Sequence, residues 1–195
     1  MVAELGADAL GMVLADSPRR VTATVAKAIV ERVPNLIWKV GVFMDQPAEE
    51  IAAITDAVPF DVLQFHGAES PEFCYQRIGA QRYRPRLIKR FAPRTDETVD
   101  TLTRRMQQYD AAVYLLDPGA GAGRTFDWSL AAGIPLPLMI AGGLTPENVG
   151  EVVRQLRPAW VDVASGVEWQ VGRKDPSRVR AFIEAVRNED KRYNS

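Results

Sequence analysis

Short apolar runs alternate with amphipathic stretches along the whole chain. The runs cover residues 9–14, 37–43, 62–66, 87–91, 112–116, 138–141 and 161–164. Most are apolar at successive positions, as strands covered on both faces require. The stretches between them carry apolar residues at i, i+3, i+4 and i+7, the stripe of a helix that buries one face. Ala26, Ile29, Val30 and Val33 form one stripe, and Val99, Leu102, Met106 and Tyr109 a second. Val149, Val152, Val153 and Leu156 form a third, and Val179, Phe182, Ile183 and Val186 a fourth. A capping residue followed by proline marks three helix starts, at Ser70-Pro71, Thr145-Pro146 and Asp175-Pro176. The pattern predicts seven strands alternating with seven helices, with residues 1–5 closing an earlier helix and residues 188–195 forming a polar tail.

Two parallel α/β architectures accommodate that alternation. A doubly wound sheet that binds dinucleotides wants Gly-x-Gly-x-x-Gly after an early strand. Here the paired glycine turns come late, at Gly142-Gly143 and Ser165-Gly166, each expected to lead into a helix. In a (β/α)8 barrel the loops after the last two strands are where phosphate binds, and about 200 residues suffice for the fold. The expectation is therefore a (β/α)8 TIM barrel lacking its first strand and most of its first helix.

Composition narrows the class. A chain of 195 residues that is 47% hydrophobic and 25% charged is expected to form one domain over residues 1–195. A net charge of -1 with scattered Lys and Arg offers no surface for nucleic acid or membrane. No apolar run approaches the ~20 residues of a membrane span, and the start has no basic-then-apolar leader. One cysteine fits a reducing compartment, so a cytoplasmic protein is expected. One histidine and one cysteine cannot supply a structural metal site, and no metal or cofactor is expected.

Candidate chemistry gathers at the strand ends. Asp117 closes the fifth run and opens the glycine-rich segment 117–128. It reads either as an acid at a barrel mouth beside a mobile lid or as a capping residue before a flexible loop. Gly142, Gly143, Ser165 and Gly166 read either as backbone donors to a phosphate or as two tight left-handed turns, and their place at consecutive strand ends favours phosphate. Asp162 is a charge inside an apolar run, which points to pocket lining. His66, alone at a strand end, and Cys74, on a predicted helix, read from the residues as structural groups.

Taken together, the segments resemble one family. Gly6-Ala7-Asp8-Ala9-Leu10-Gly11, Ser17-Pro18-Arg19-Arg20, Val40-Gly41-Val42-Phe43 and Gln64-Phe65-His66-Gly67 are similar to stretches of phosphoribosylanthranilate isomerases of tryptophan biosynthesis. So are Leu116-Asp117, Thr125-Phe126-Asp127-Trp128, Ala141-Gly142-Gly143-Leu144 and the segment 161–168, in the same order.

The resemblance implies an Amadori rearrangement of N-(5′-phosphoribosyl)anthranilate, with a small phosphoribosyl substrate and a possible homo-oligomer. It assigns Asp117 as the acid that opens the ribose ring, a role for which burial is expected to raise its pKa. It assigns Arg20 to the anthranilate carboxylate, with Arg19 a solvated neighbour. Gln64, His66 and Asp162 fall at substrate positions, and the glycine turns at the 5′-phosphate. The family's base is a cysteine in a Lys-Ile-Cys-Gly-like first strand that these residues do not include, and Cys74 is no substitute. The preferred explanation is a sequence that begins at an internal methionine, the other a genuinely shortened protein. Ala120-Gly121-Ala122-Gly123 lacks the hydroxyl of the family's Gly-Gly-Thr/Ser-Gly lid. The alternatives are a non-catalytic sugar-phosphate binder and a barrel such as indole-glycerol-phosphate synthase, whose lysine-rich strand ends only Lys89 matches, poorly.

Overall fold

The computed structural model describes residues 1–80, 85–119 and 129–193. Seven parallel strands form one sheet in chain order: β1 (Ala9–Val13), β2 (Trp38–Phe43), β3 (Val62–Phe65), β4 (Arg86–Phe91), β5 (Val113–Leu116), β6 (Leu138–Ile140) and β7 (Trp160–Val161). The crossovers carry α1 (Ala23–Val30), α2 (Ala48–Ala57), α3 (Pro71–Gly79), α4 (Val99–Met106), α5 (Ser129–Ala132) and α6 (Val149–Leu156), and α7 (Pro176–Tyr193) follows the last strand. The first six strands fall within a residue or so of the apolar runs.

The sheet curls on itself. Val40, Val62, Ile88, Val113, Leu115, Met139 and Ala141 form one inner cluster, against which Ala9 of β1 and Trp160 of β7 both pack. Strands from opposite edges can share one core only if the sheet bends into a barrel. Trp38 of β2 stacks on Trp160 with ring centres 5.0 Å apart, and the Arg86 guanidinium lies 4.5 Å from the Trp38 ring. Among the described residues no ladder joins β7 back to β1, so the barrel keeps an open seam there. Outside the sheet the helices bury the expected stripes, with Leu102 and Met106 of α4 and Val149 of α6 at 0% exposure.

Four expectations need correcting. The last strand is shorter than 161–164, ending at Val161, although the Asp162 N–H still donates to the Ile140 carbonyl at 2.9 Å. No helix follows it directly. A single 3-10 turn, Ser165–Val167, leads into an antiparallel hairpin of β8 (Glu168–Gln170) and β9 (Arg173–Lys174). Gly172, at φ 77°, makes the reversal. Helix α6 starts at Val149, not beside Pro146, because the Thr145 hydroxyl accepts from Glu147 N–H within a separate preceding turn. Finally, α7 runs on to Tyr193 where a tail was expected. Glu189 is 8% exposed and lies against Gly150 of α6, while Lys191 and Arg192 place positive charge at the helix's negative end. At the other terminus, residues 1–5 make one turn closed by Leu5 N–H on the Met1 carbonyl at 3.0 Å. Arg187 of α7 ties that turn down through the Gly6 carbonyl at 2.8 Å.

Candidate active site

The carboxyl ends of the strands bring Gln64, His66, Asp117 and Asp162 together. His66 follows β3 directly, its N–H donating to the Phe43 carbonyl of β2 at 2.8 Å. Asp117 follows β5 in the same way, with its N–H on the Phe91 carbonyl of β4 at 3.1 Å. Both residues thus extend the ladder by one step and hold their side chains at the mouth. His66 Nε2 lies 3.4 Å from Asp117 Oδ2, and Gln64 Nε2 lies 3.3 Å from His66 Nδ1. An amide nitrogen only donates, so Nδ1 accepts and the ring proton sits on Nε2, facing the carboxylate.

Asp117 is tightly held. Its Oδ1 accepts from Gly119 N–H at 2.9 Å, and its backbone carbonyl accepts from Arg90 Nε at 3.0 Å. Burial is the largest single influence on its carboxyl and pushes the pKa up. The hydrogen bonds from His66 and the Gly119 N–H, with the nearby positive charge of Arg90, together outweigh it, leaving Asp117 below the usual carboxylate range. The expected upward shift is therefore not found, because the partners were invisible in the sequence. Asp162 behaves oppositely. Its side chain is exposed in the mouth yet ringed by protein atoms, and that crowding, with the negative charge of Asp117, raises its pKa. The two neighbouring carboxyls are thus pushed in opposite directions, Asp162 toward its protonated form and Asp117 toward its ionised one.

The glycine turns have distinct geometries. Gly142, at φ +86°, makes room for Asp117: a Cβ there would lie 2.9 Å from Oδ1 and 2.8 Å from Pro118 Cδ. Gly143, at φ +70°, faces open space, and among the described residues its N–H meets no acceptor. Its carbonyl is fixed by Asn148 Nδ2 at 2.9 Å. Gly166 abuts the Leu144 carbonyl so closely that no side chain fits, which joins the two turns, with Ser165, into one surface.

The arginines divide differently from the expectation. Arg20 is exposed and pairs with Glu50 of α2 at 3.3 Å, apart from the carboxyl cluster. Arg19 instead crosses to the far side of the seam and grips Glu168 of β8 through Nε at 2.9 Å and Nη2 at 2.7 Å. Lys174 completes the group, donating to Glu168 Oε1 at 3.1 Å and to the Ala164 carbonyl at 2.8 Å. Chiefly through the Arg19 hydrogen bonds, the Glu168 carboxyl is held at about 2. Nothing local in the sequence marks Glu168, Lys174 or Arg90 as residues of the site. Glu168 stood within a family segment, but its partner lies 149 positions away.

Cys74 is buried at 1% exposure on α3, and desolvation pushes its thiol up to about 12. A thiol in that state is neither a base nor a nucleophile at neutral pH. The predicted lid, with Ala120 to Gly123, Arg124 and Thr125 to Trp128, lies outside the described residues. Among the described residues no three His, Cys, Asp or Glu side chains gather where they could hold a metal ion, and no helix is long and apolar enough to cross a membrane.

A curled parallel sheet with polar groups and glycine turns at its carboxyl ends defines a (β/α)-barrel of the enzyme type. The family model for N-(5′-phosphoribosyl)anthranilate isomerase matches residues 1–185. An isomerase of that name from Pseudomonas aeruginosa is 44% identical, over 95% of this chain and 88% of its own length. The Moorella thermoacetica isomerase is 38% identical over 99% of this chain and 86% of its own. Among solved structures, the Thermotoga maritima phosphoribosylanthranilate isomerase superposes with a TM-score of 0.84 at 31% identity, covering 96% of this chain and 91% of that one. A phosphoribosylanthranilate isomerase in complex with reduced 1-(o-carboxyphenylamino)-1-deoxyribulose 5-phosphate gives a TM-score of 0.81 at 31% identity, over 96% and 91%. The chain belongs to the N-(5′-phosphoribosyl)anthranilate isomerase family.

Proposed function

We propose that this chain, as one cytoplasmic barrel domain, catalyses the Amadori rearrangement of N-(5′-phosphoribosyl)anthranilate to 1-(2-carboxyphenylamino)-1-deoxyribulose 5-phosphate in tryptophan biosynthesis. The observation that carries the reading is the Asp117–His66 pair at 3.4 Å, set at the barrel mouth against the turns of Gly142 and Gly166. The Gly143 turn and the joined Ser165–Gly166 turn offer backbone N–H groups to the 5′-phosphate. Arg19, already at the rim, is better placed than Arg20 to meet the anthranilate carboxylate.

Ring opening breaks the bond between C1′ and the ring oxygen while an acid protonates that oxygen and the anilino nitrogen lone pair forms the C=N bond. Loss of the C2′ proton to a base then gives an enol, which tautomerises to the ketone. Asp117 is the acid. It is ionised in the free site, so it must take up a proton before giving one. The phosphate and carboxylate of the arriving substrate bring negative charge that raises its pKa toward that state. The single thiol of the 195 residues is Cys74, buried in α3, so the family's cysteine base is not supplied. Turnover by this chain alone is accordingly slow, by about the 10²–10⁴-fold that a positioned base contributes.

Asp117→Asn tests the assignment. The amide keeps the shape but cannot deliver the proton, so substrate turnover should fall by at least ~10²-fold, with product affinity retained. A variant that keeps the parental rate overturns it.

A further inference from the structure

We propose that Lys89 is a positioning residue, which fixes the loop after β3 so that His66 presents its Nε2 proton to Asp117. The inference rests on the functional reading above and deepens it. Lys89 lies in β4, paired with Glu69 at 2.9 Å, and each side chain is only 3% exposed. Its ammonium group also donates to the carbonyls of Phe65 at 3.3 Å and Gly67 at 2.6 Å, the two residues that flank His66. All three ammonium hydrogens are therefore used on one short loop. Glu69 passes the restraint on. Its Oε1 accepts from Asp45 N–H at 2.9 Å, Asp45 Oδ1 accepts from Ala68 N–H at 2.6 Å, and Tyr109 Oη donates to the Glu69 carbonyl at 2.9 Å.

A buried ion pair is a poor device for stability alone, since an apolar pair of similar volume serves as well. What this pair does that apolar side chains cannot is fix carbonyls on both sides of the imidazole. His66 needs that precision. Its two ring contacts, 3.3 Å to Gln64 and 3.4 Å to Asp117, are at the long end of hydrogen bonding, so a small displacement of the loop breaks both.

His66 is the only histidine, so its ring nitrogens can be read by ¹⁵N NMR without assignment. At alkaline pH, where a histidine ring is neutral, the ring of the unmodified chain should carry its proton on Nε2; a ring averaging between tautomers overturns the proposal. Lys89→Met should move the ring toward a tautomer mixture and lower kcat on the order of 10- to 100-fold, with KM nearly unchanged. Lys89→Met leaves Glu69 buried and unpaired, so Lys89→Met with Glu69→Gln is made beside it to remove that charge and preserve folding. If either folded variant keeps the parental ring spectrum and kcat and only melts earlier, Lys89 is structural and the proposal fails. The NMR arm needs no substrate. A chain that never turns over phosphoribosylanthranilate, yet loses its Nε2 tautomer in the variants, sinks the proposed reaction and leaves the positioning role standing.

Discussion

At the scale of single residues, neighbours can outweigh burial. Asp117 sits lower in pKa than its burial alone dictates because three groups stabilise its charge. Arg19 and Arg20 are adjacent and chemically identical, yet one crosses the seam and the other faces solvent. Gly143 gives the sharpest residue-level expectation. Its φ of +70° is one that β-branched residues avoid, and its open face is where an anion would approach. Gly143→Val should weaken binding of the phosphorylated product by about 10-fold, the scale of one hydrogen bond to a charged group. Calorimetric titration of the folded variant checks this, and an unchanged affinity would remove the turn from the phosphate site.

At the scale of elements, the β8–β9 hairpin is tied to the loop after β1 by Glu168. Glu168 is depressed from 4.5 to about 2, so its contribution to stability is present in full above the unfolded value near 4.5 and is lost as pH falls toward 2. Arg19 and Lys174 remain partly solvated, with side chains 29% and 30% exposed, so the contribution is on the order of 2 kcal/mol. Urea unfolding at stepped pH should show the parent losing this increment between about pH 4.5 and 2. Glu168→Gln should be less stable at neutral pH and flatter across that window. A variant whose pH profile runs parallel to the parent's would mean the tie adds no stability. The helices and first six strands were legible in the sequence because burial on a curled sheet imposes the period it reads. The hairpin was not, since strands of two or three residues carry no period and Glu168 owes its place to a distant arginine.

At the scale of the whole molecule, the open seam dominates. Among the described residues β1 and β7 each pair with a strand on one side only, and the inner core they share includes Ala9 and Trp160. Unpaired parallel edges seek another strand. The chain on its own is expected to associate through this seam or to be poorly soluble. Sedimentation across a range of concentrations, paired with thermal melting, checks this, and a monomer with a single sharp transition would count against it.

The amino-acid order by itself determined the alternation of strands and helices, the strand ends at which His66 and Asp117 sit, and the glycines of the late turns. Each of these is a local matter of hydrophobic period, turn chemistry or short spacing. Tertiary structure alone decided which arginine reaches the rim, why Gly142 must lack a side chain beside Asp117, and that Lys89 and Glu69 grip the His66 loop. It also decided the sign of the Asp117 shift. These depend on groups far apart in the chain and close in space, and hydrogen bonds and charges act over the second distance.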